Sequence, residues 1–371
     1  MLFLFVGNCV ATSGAPDFRT YDDELIVISA VVTEVFPATD GERFPWTLED
    51  EVPIVVPFNA RIISGEREGE VLRRIYQNIP DPYTLSEREV SVGNRIMLVF
   101  DIHRDIYVFN GFQRINPVFF LGIIFLLLMI FFSKKKGFNS IIALGFICAA
   151  IFTVFIPAIL AGRNIYAATL VIVTYSIIST LLIVIGPNKK AISAMLGCLG
   201  GVFFAGILMA IMGGIVRLTG VVDRESLNLL FFNIDLRAIV FAGVILGSAG
   251  AIMDVAMSIS SSLWEVKQAR DDVTDGELGV PQNPANFRSL FKSGIEIGKD
   301  ILGTMLNTLI LAYIGSSLTV ILLIASGTGS FVELFNMEMI VVEFLRAIVG
   351  SFGMFLTIPL TAAISAALYS R

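Results

Sequence analysis

Residues 248–266 read SAGAIMDVAMSISSSLWEV, an apolar stretch that contains one carboxylate, Asp254. No charged residue occurs from Ala238 to Met253, and ten uncharged residues follow Asp254 before Glu265. Such a run predicts a membrane-spanning helix, because about 20 residues at 1.5 Å rise each cross a hydrocarbon layer about 30 Å thick. A carboxylate is costly in that layer, so its presence calls for a physical explanation.

The composition extends this prediction to most of the chain. Its 371 residues are 55% apolar and only 16% charged, which is typical of an integral membrane protein. Seven predominantly apolar segments are long enough to cross a bilayer as helices. They are residues 116–133, 139–161, 165–186, 191–214, 236–258, 300–325 and 340–369. The sequence therefore predicts an α-helical polytopic membrane domain over residues 116–371, with the lipid bilayer as its partner.

The residues before the first span have a different pattern. Residues 12–115 alternate β-rich runs, such as ELIVISAVVTEVF, with turn clusters such as PATDGE and NIPDPY. This pattern predicts a small all-β domain, either a barrel or a sandwich. Its role is that of a rigid outer cap or of a module that binds an extracytoplasmic protein or solute. Residues 1–11, MLFLFVGNCVA, are too short to span and are expected to be the remnant of a signal or anchor helix.

The lysine positions orient the chain in the membrane. Residues 12–115 contain 18 acidic residues and ten Arg but no Lys. All eight lysines lie in alternate connections between the predicted spans: Lys134, Lys135, Lys136, Lys189, Lys190, Lys267, Lys292 and Lys299. Basic residues are enriched on the cytoplasmic side of membrane proteins. We therefore expect an extracytoplasmic all-β domain, a cytoplasmic C-terminus, and a fifth span that runs from outside to inside.

Asp254 shares one face of the fifth span with three glycines. Gly243, Gly247 and Gly250 precede it at spacings that place all four residues on one helical stripe. Small residues let a neighbouring helix approach closely, because no side chain holds the two backbones apart. We expect the glycines to pack against a helix and Asp254 to point at that helix. A carboxylate so placed takes a proton, a partner or an ion.

The sixth span presents a polar face of its own. Its members are Asp300, Thr304, Asn307 and Thr308. The fifth span is predicted to enter the cytoplasm and the sixth to leave it, so Asp254 and this polar face begin at the same side of the membrane. The sequence thus predicts that two carboxylates, an amide and two hydroxyls converge and carry a proton or a cation.

A structural interpretation of these charged groups stays open. Asp254 lies near the predicted helix end, where it could reach interfacial water or pair with Lys299. Asp300 could simply begin its helix, where an acidic residue suits the helix dipole. In the last span, Glu343 and Arg346 are expected to form an ion pair at the membrane interface.

Few residues suit metal or catalytic chemistry. His103 is the only histidine, and the cysteines are Cys9, Cys148 and Cys198, so neither a histidine metal site nor a disulfide framework is expected. No P-loop, zinc motif or catalytic triad occurs, and the two aspartates lack the flanking residues of intramembrane aspartyl proteases. We expect no enzymatic activity, no cofactor and no nucleic-acid partner.

The longest motifs resemble a known family. The segments GAIMDVAMSISSSLWEV, NP at 283–284, and LFKSGIEIGKDILGTMLNTLILAYIGSSL are similar to the YibE/F family of bacterial multi-pass membrane proteins. Membership implies a bacterial plasma membrane location and supplies no function. GAIMD, Glu265 and MLNT also look like the central helices of SecD/SecF-type RND permeases, in which intramembrane polar residues couple proton flow to work outside.

Two functions follow as hypotheses. The first is a permease-like integral membrane protein with proton- or cation-coupled transport or translocation through its intramembrane carboxylates. The second is a non-transporting membrane scaffold or receptor whose outer β domain binds a partner.

Overall fold

The computed structural model describes most of the chain. The described residues are 25–40, 54–65, 67–79, 88–101, 106–222, 224–232, 234–275, 286–316, 318–326, 332 and 335–370. The predicted signal or anchor remnant and His103 lie outside them. The chain divides into two compact units between Leu128 and Met129.

The first unit contains an antiparallel β-sheet, which confirms the predicted all-β domain. Its strands are β1 (Leu25–Val35), β2 (Thr39–Asp40), β3 (Ile54–Ile62), β4 (Val71–Ile79), β5 (Arg95–Asp101) and β6 (Ile106–Phe112). They are ordered β2-β3-β1-β5-β6, with β4 also paired to β3. β4 contacts β6 as well, so the sheet curves towards closure. In β3 the alternate residues Val56, Phe58 and Ala60 are buried, as expected when one face of a strand covers a core.

Helices follow from Ile115 onwards. They are α1 (Ile115–Ala150), α2 (Ile156–Leu160), α3 (Ile165–Ile185), α4 (Lys189–Ile215), α5 (Arg224–Leu229), α6 (Leu236–Asp275), α7 (Phe287–Ser316), α8 (Leu318–Ala325) and α9 (Glu338–Tyr369). A π-helical turn, Ile151–Phe155, joins α1 to α2 without a break. The predicted polytopic helical domain is confirmed.

The seven predicted spans fall on six described helices, because the first of these helices contains a sharp kink. Six described helices are long and apolar enough to cross a membrane, where seven were expected. The first, Ile115–Leu160, contains both of the first two predicted spans. Two helical segments meet there at a sharp kink at Lys134, which has φ 48° and ψ −123°. A Cβ atom at Gly137 would overlap the Met129 carbonyl oxygen, eight residues earlier, whereas eight residues of straight helix rise about 12 Å. The chain therefore folds back at the lysine-rich link 134–136, and the first two predicted spans remain separate helical segments.

Helix α6 occupies the centre of the second unit. It contacts α3, α4, α7 and α9, and its residues Ile245, Ile252 and Ile259 are fully buried. Helices α4 and α9 approach closely, because a Cβ atom at Gly197 would overlap the side chain of Thr361. Close contact at small residues is the usual way in which membrane helices associate.

Hydrogen bonds at both ends fix the directions of three helices. At one end the Tyr369 hydroxyl lies 3.0 Å from Ser193 Oγ and 2.7 Å from Ser260 Oγ. At the other end the Glu338 carboxylate accepts hydrogen bonds from the backbone N–H and hydroxyl of Thr219, at 2.8 and 2.7 Å. Helix α4 therefore runs antiparallel to α6 and α9. The first of these ends also carries lysines 189, 190 and 267, and we call it the lysine end.

Candidate functional site

The stripe that contains Asp254 lies on an exposed face of α6. Gly243, Gly247, Gly250 and Asp254 are all exposed, whereas the intervening residues on the other faces of the helix are largely buried. The helical repeat thus gives α6 one narrow open face and buries the rest of its circumference. We call this surface, Gly243 to Asp254, the open stripe.

No helix within the described residues covers the open stripe. A Cβ atom at Gly247 or Gly250 would have no atom within 4 Å, and at Gly243 the nearest is Arg346 Nη2, at 4.0 Å. The helix against which these glycines are predicted to pack is therefore not found in the described part of the chain. Their role in packing stays a prediction that needs a further partner.

The order of the neighbouring helices explains why the stripe is open. Around α6, helix α3 contacts α4, α4 contacts α9, and α9 contacts α7. Within the described residues α3 and α7 share no comparable contact. A gap between α3 and α7 consequently exposes one side of α6. The surface of α6 that is exposed in this gap consists of the glycines and Asp254, and Asp254 lies closest to the lysine end.

Contacts between helices set the relative depths of the polar groups. A Cβ atom at Gly294 of α7 would lie 2.9 Å from Leu263 Cδ1 of α6. A Cβ atom at Gly350 of α9 would lie 3.1 Å from Ser248 Oγ of α6 and 3.7 Å from Leu309 Cδ2 of α7. These contacts place Leu263 of α6 level with Gly294 of α7, and Ser248 level with Leu309. Since the two helices run in opposite directions and rise equally per residue, Asp254, which lies between Ser248 and Leu263, is level with residues 303–304 of α7. Asp300 then lies about one turn nearer the lysine end.

The polar residues of α7 are exposed as well. Thr304 and Thr308 donate to backbone carbonyls of their own helix, at 2.9 and 3.0 Å. Within the described residues, the side chains of Asp254, Asp300 and Asn307 make no hydrogen bond or ion pair. The structure therefore places these groups on adjoining helices at similar depths, without linking them to one another.

The alternative partner for Asp254 is engaged elsewhere. Lys299 pairs with Glu296, with 3.0 Å between Nζ and Oε1. The ion pair between Lys299 and Asp254, which the sequence left open, is not the arrangement found.

A second charged pair adjoins the other end of the open stripe. Arg346 Nη1 lies 2.8 Å from Glu343 Oε1, so the predicted ion pair forms. Glu343 Oε2 and Arg346 Nε are buried without a hydrogen-bond partner, and Arg346 also lies beside the position of Gly243. The spacing of Glu343 and Arg346 reveals the pair in the sequence. No local signal reveals that it faces α6, because that depends on tertiary packing.

The carboxylates of Asp254 and Asp300 are the groups of this site that could bind a metal ion. No group of three or more His, Cys, Asp or Glu side chains in the described ranges is arranged to hold a metal ion. Asp254 and Asp300 together offer two carboxylates, which suits a proton or a weakly held cation better than a tightly bound metal.

Comparison with known proteins places this arrangement in a family. The model of the YibE/F-like proteins matches residues 121–371, which include all the helices from α2 to α9. The chain belongs to the YibE/F-like family. The open stripe, the polar face of α7 and the Glu343–Arg346 pair all lie inside the matched region of this YibE/F-like protein. No curated protein matches the chain, and no solved structure does.

Proposed function

We propose that this YibE/F-like protein is a permease-like membrane component, not an enzyme, in which the Asp254 carboxyl carries a proton or a cation. The observation that carries this proposal is a carboxylate with no hydrogen-bond or ion-pair partner in the described chain, on the open stripe of the most deeply packed spanning helix. An ionised group in hydrocarbon is retained only where it serves a purpose that offsets its cost.

The surroundings of Asp254 support ion coupling. The glycines of the open stripe leave space beside the helix, and that space continues away from the lysine end towards Gly243. Thr304 and Asn307 lie at a similar depth and offer hydroxyl and amide groups, and Asp300 lies about one turn closer to the lysine end. In this proposal a proton or cation passes between the two carboxyls, with Thr304, Asn307 and Thr308 as their hydrogen-bonding surroundings.

The proposed location is the bacterial plasma membrane. The lysine end would face the cytoplasm by the positive-inside rule, and Tyr369 near the C-terminus lies at that end. The all-β domain would lie outside. In this orientation the ion enters or leaves from the cytoplasmic side at Asp300 and Asp254.

Proteoliposomes provide the test. An imposed pH gradient, followed with a trapped fluorescent pH indicator, should decay faster with wild-type protein than in empty vesicles. Asp254→Asn should lose that acceleration. The matched control is Asp271→Asn, which makes the same change at an exposed residue paired with Lys267 at 3.3 Å, and it should keep the wild-type rate. Equal rates for wild type and Asp254→Asn would exclude the proposal.

A second candidate function follows from a recess in the all-β domain. The recess measures about 600 Å³ and is lined by residues that include Arg67, Phe100 and Tyr107. The Arg67 guanidinium lies 5.7 Å from the centre of the Phe100 ring and donates to the Tyr107 hydroxyl at 3.1 Å. An aromatic surface with an arginine is typical of a protein-binding site, which favours the scaffold or receptor alternative.

A comparison of two variants, Tyr107→Ala and Asp254→Asn, distinguishes the two functions. If the protein is a receptor, Tyr107→Ala in the full chain should abolish co-purification of an extracytoplasmic partner and Asp254→Asn should leave it intact. If the protein is a permease, the pH-gradient assay should respond to Asp254→Asn and not to Tyr107→Ala.

A further inference from the structure

We propose that a second recess of the first unit binds the phosphate headgroup of an anionic phospholipid at the membrane surface. The recess measures about 560 Å³ and lies wholly within that unit. The residues that line it include Arg88, Arg95, Gln113, Arg114, Pro117 and Val118, and we call this surface the arginine recess. The inference goes beyond the proposed function, because it concerns a different site and holds whether or not an ion moves.

Strand pairing brings the three arginines together at one end of the sheet. β5 begins at Arg95 and β6 ends at Phe112, and these antiparallel neighbours place the two ends side by side. The Gln113 N–H donates to the Arg95 carbonyl at 2.9 Å, which extends the pairing to the residue before Arg114. The Arg88 guanidinium lies 5.9 Å from the centre of the Phe112 ring. All three arginines therefore line the same small surface.

The arginine recess is a positive surface on an acidic domain. Residues 12–115 contain 18 acidic residues and ten Arg, yet none of the described residues that line the recess is acidic. Arg88, Arg95 and Arg114 form no ion pair within the described part of the chain. Guanidinium groups bind phosphate oxygens through paired, charge-assisted hydrogen bonds. The charge of the recess therefore fits a phosphate group.

Two amide side chains add hydrogen-bond donors to this surface. Gln113 Oε1 is buried, and the Gln113 side chain makes no hydrogen bond within the described residues. The amide N–H groups are thus the polar part of Gln113 that a ligand can reach. Asn94, which also lines the recess, accepts the Ser91 N–H with its Oδ1 at 3.0 Å, and this leaves its amide N–H groups unused. Donors from amides and guanidiniums together require a ligand that is rich in acceptors.

The start of α1 favours a lipid over a free anion. Pro117 and Val118 line the recess, and from Val118 onwards α1 exposes large apolar side chains, with Phe119 67% and Leu121 66% exposed. A spanning helix presents such side chains to hydrocarbon, so Arg114, one turn earlier, lies at the boundary between hydrocarbon and water. Phospholipid phosphates lie at that boundary, and clustered basic residues there attract anionic lipids. A zwitterionic headgroup would add an ammonium group beside three guanidiniums, so a headgroup with net negative charge fits better.

Native mass spectrometry of the full chain in detergent tests the site, with phosphatidylglycerol as the probe. The recess variant is Arg95→Gln with Arg114→Gln. The matched control is Arg61→Gln with Arg73→Gln, which removes the same charge from exposed residues elsewhere in the all-β domain. The recess variant should bind phosphatidylglycerol about tenfold or more weakly than wild type, and the control should bind it as wild type does. Equal affinity of the recess variant and wild type, or an equal loss in the control, would overturn the proposal.

Two comparison ligands identify what the arginine recess recognises. Phosphatidylcholine with the same acyl chains tests the net charge of the headgroup, and inorganic phosphate tests the need for a lipid. Wild-type protein should bind both more weakly than phosphatidylglycerol. Equal binding of phosphatidylcholine would overturn the proposal, because the three arginines would then not select a net negative charge. Equal binding of inorganic phosphate would also overturn it, because the site would then be an anion site without a lipid.

Thermal unfolding provides a second measurement and a check on folding. Without lipid, wild type, the recess variant and the control should share one Tm, because all four replaced arginines are exposed. A ligand that binds only the folded state raises the Tm, so phosphatidylglycerol should raise the Tm of wild type and of the control and leave that of the recess variant unchanged. An equal rise in all three proteins would overturn the proposal.

Discussion

Two pairs of glycines with the same spacing have opposite surroundings in this molecule. Gly197 and Gly201 of α4 lie four residues apart, and so do Gly243 and Gly247 of α6. A Cβ atom at Gly201 would overlap the Thr357 side chain, whereas one at Gly247 would touch nothing. The spacing alone indicates that a helix can approach. The spacing does not indicate whether a helix is packed against the glycines.

The difference separates a structural from a functional use of the same pattern. At α4 the glycines serve helix packing, because α9 occupies the space beside them. At α6 the open stripe ends at the Asp254 carboxylate. Within the described chain no helix covers the stripe, and the carboxylate has no hydrogen-bond or ion-pair partner. Packing explains the first pair completely, whereas it leaves the second pair unexplained, and the proposed function accounts for that pair.

The largest effect is expected at the packed glycines. Gly201→Val would place two methyl groups against Thr357 and the Gly353 carbonyl oxygen, which lies 2.9 Å from the Cβ position. Overpacking of this kind should lower the free energy of unfolding by about 3 kcal/mol or more. Thermal unfolding in detergent would show a lower Tm. A Tm equal to that of wild type would mean that α4 and α9 are not in close contact.

The next effect concerns the ion pair beside the open stripe. Arg346→Gln leaves the partly buried Glu343 carboxylate unpaired and should lower the free energy of unfolding by about 2 kcal/mol. Replacing both residues, Glu343→Gln with Arg346→Gln, should recover most of that loss, because no uncompensated charge remains. A double variant less stable than Arg346→Gln would show that each side chain has separate partners.

A smaller effect is expected at the lysine end. Tyr369→Phe removes the hydroxyl that joins Ser193 and Ser260, so one to two buried hydrogen bonds are lost at a cost of about 1 kcal/mol. The control is Tyr175→Phe, since the Tyr175 side chain is exposed and makes no hydrogen bond within the described residues. Equal Tm values for the two variants would contradict the packed arrangement of α4, α6 and α9.

The smallest effect is expected on the open stripe. Gly247→Ala should change the free energy of unfolding by less than about 1 kcal/mol, with a gain in helix propensity and no clash. Thermal unfolding in detergent would measure it. A loss as large as that at Gly201 would mean that a helix already covers Gly247.

Much of this arrangement could be predicted from the sequence, because it follows from helix and strand geometry. A period of 3.6 residues places Gly243, Gly247, Gly250 and Asp254 on one face, and the composition of residues 116–371 requires spanning helices. The sharp kink at Lys134 could not be predicted in its geometry, because short charged links occur both inside helices and between them. The approach of Arg346 to Gly243 and the gap between α3 and α7 depend on how distant helices pack.

The role of the Asp254 carboxyl is tested by comparing Asp254→Glu with Asp254→Asn in the pH-gradient assay. Glutamate keeps a carboxyl group and has room for one more methylene on the exposed face, whereas asparagine keeps the shape and loses the titratable group. We expect that Asp254→Glu retains a measurable part of the wild-type rate and that Asp254→Asn falls to the rate of empty vesicles. Equal rates for the two variants would contradict it.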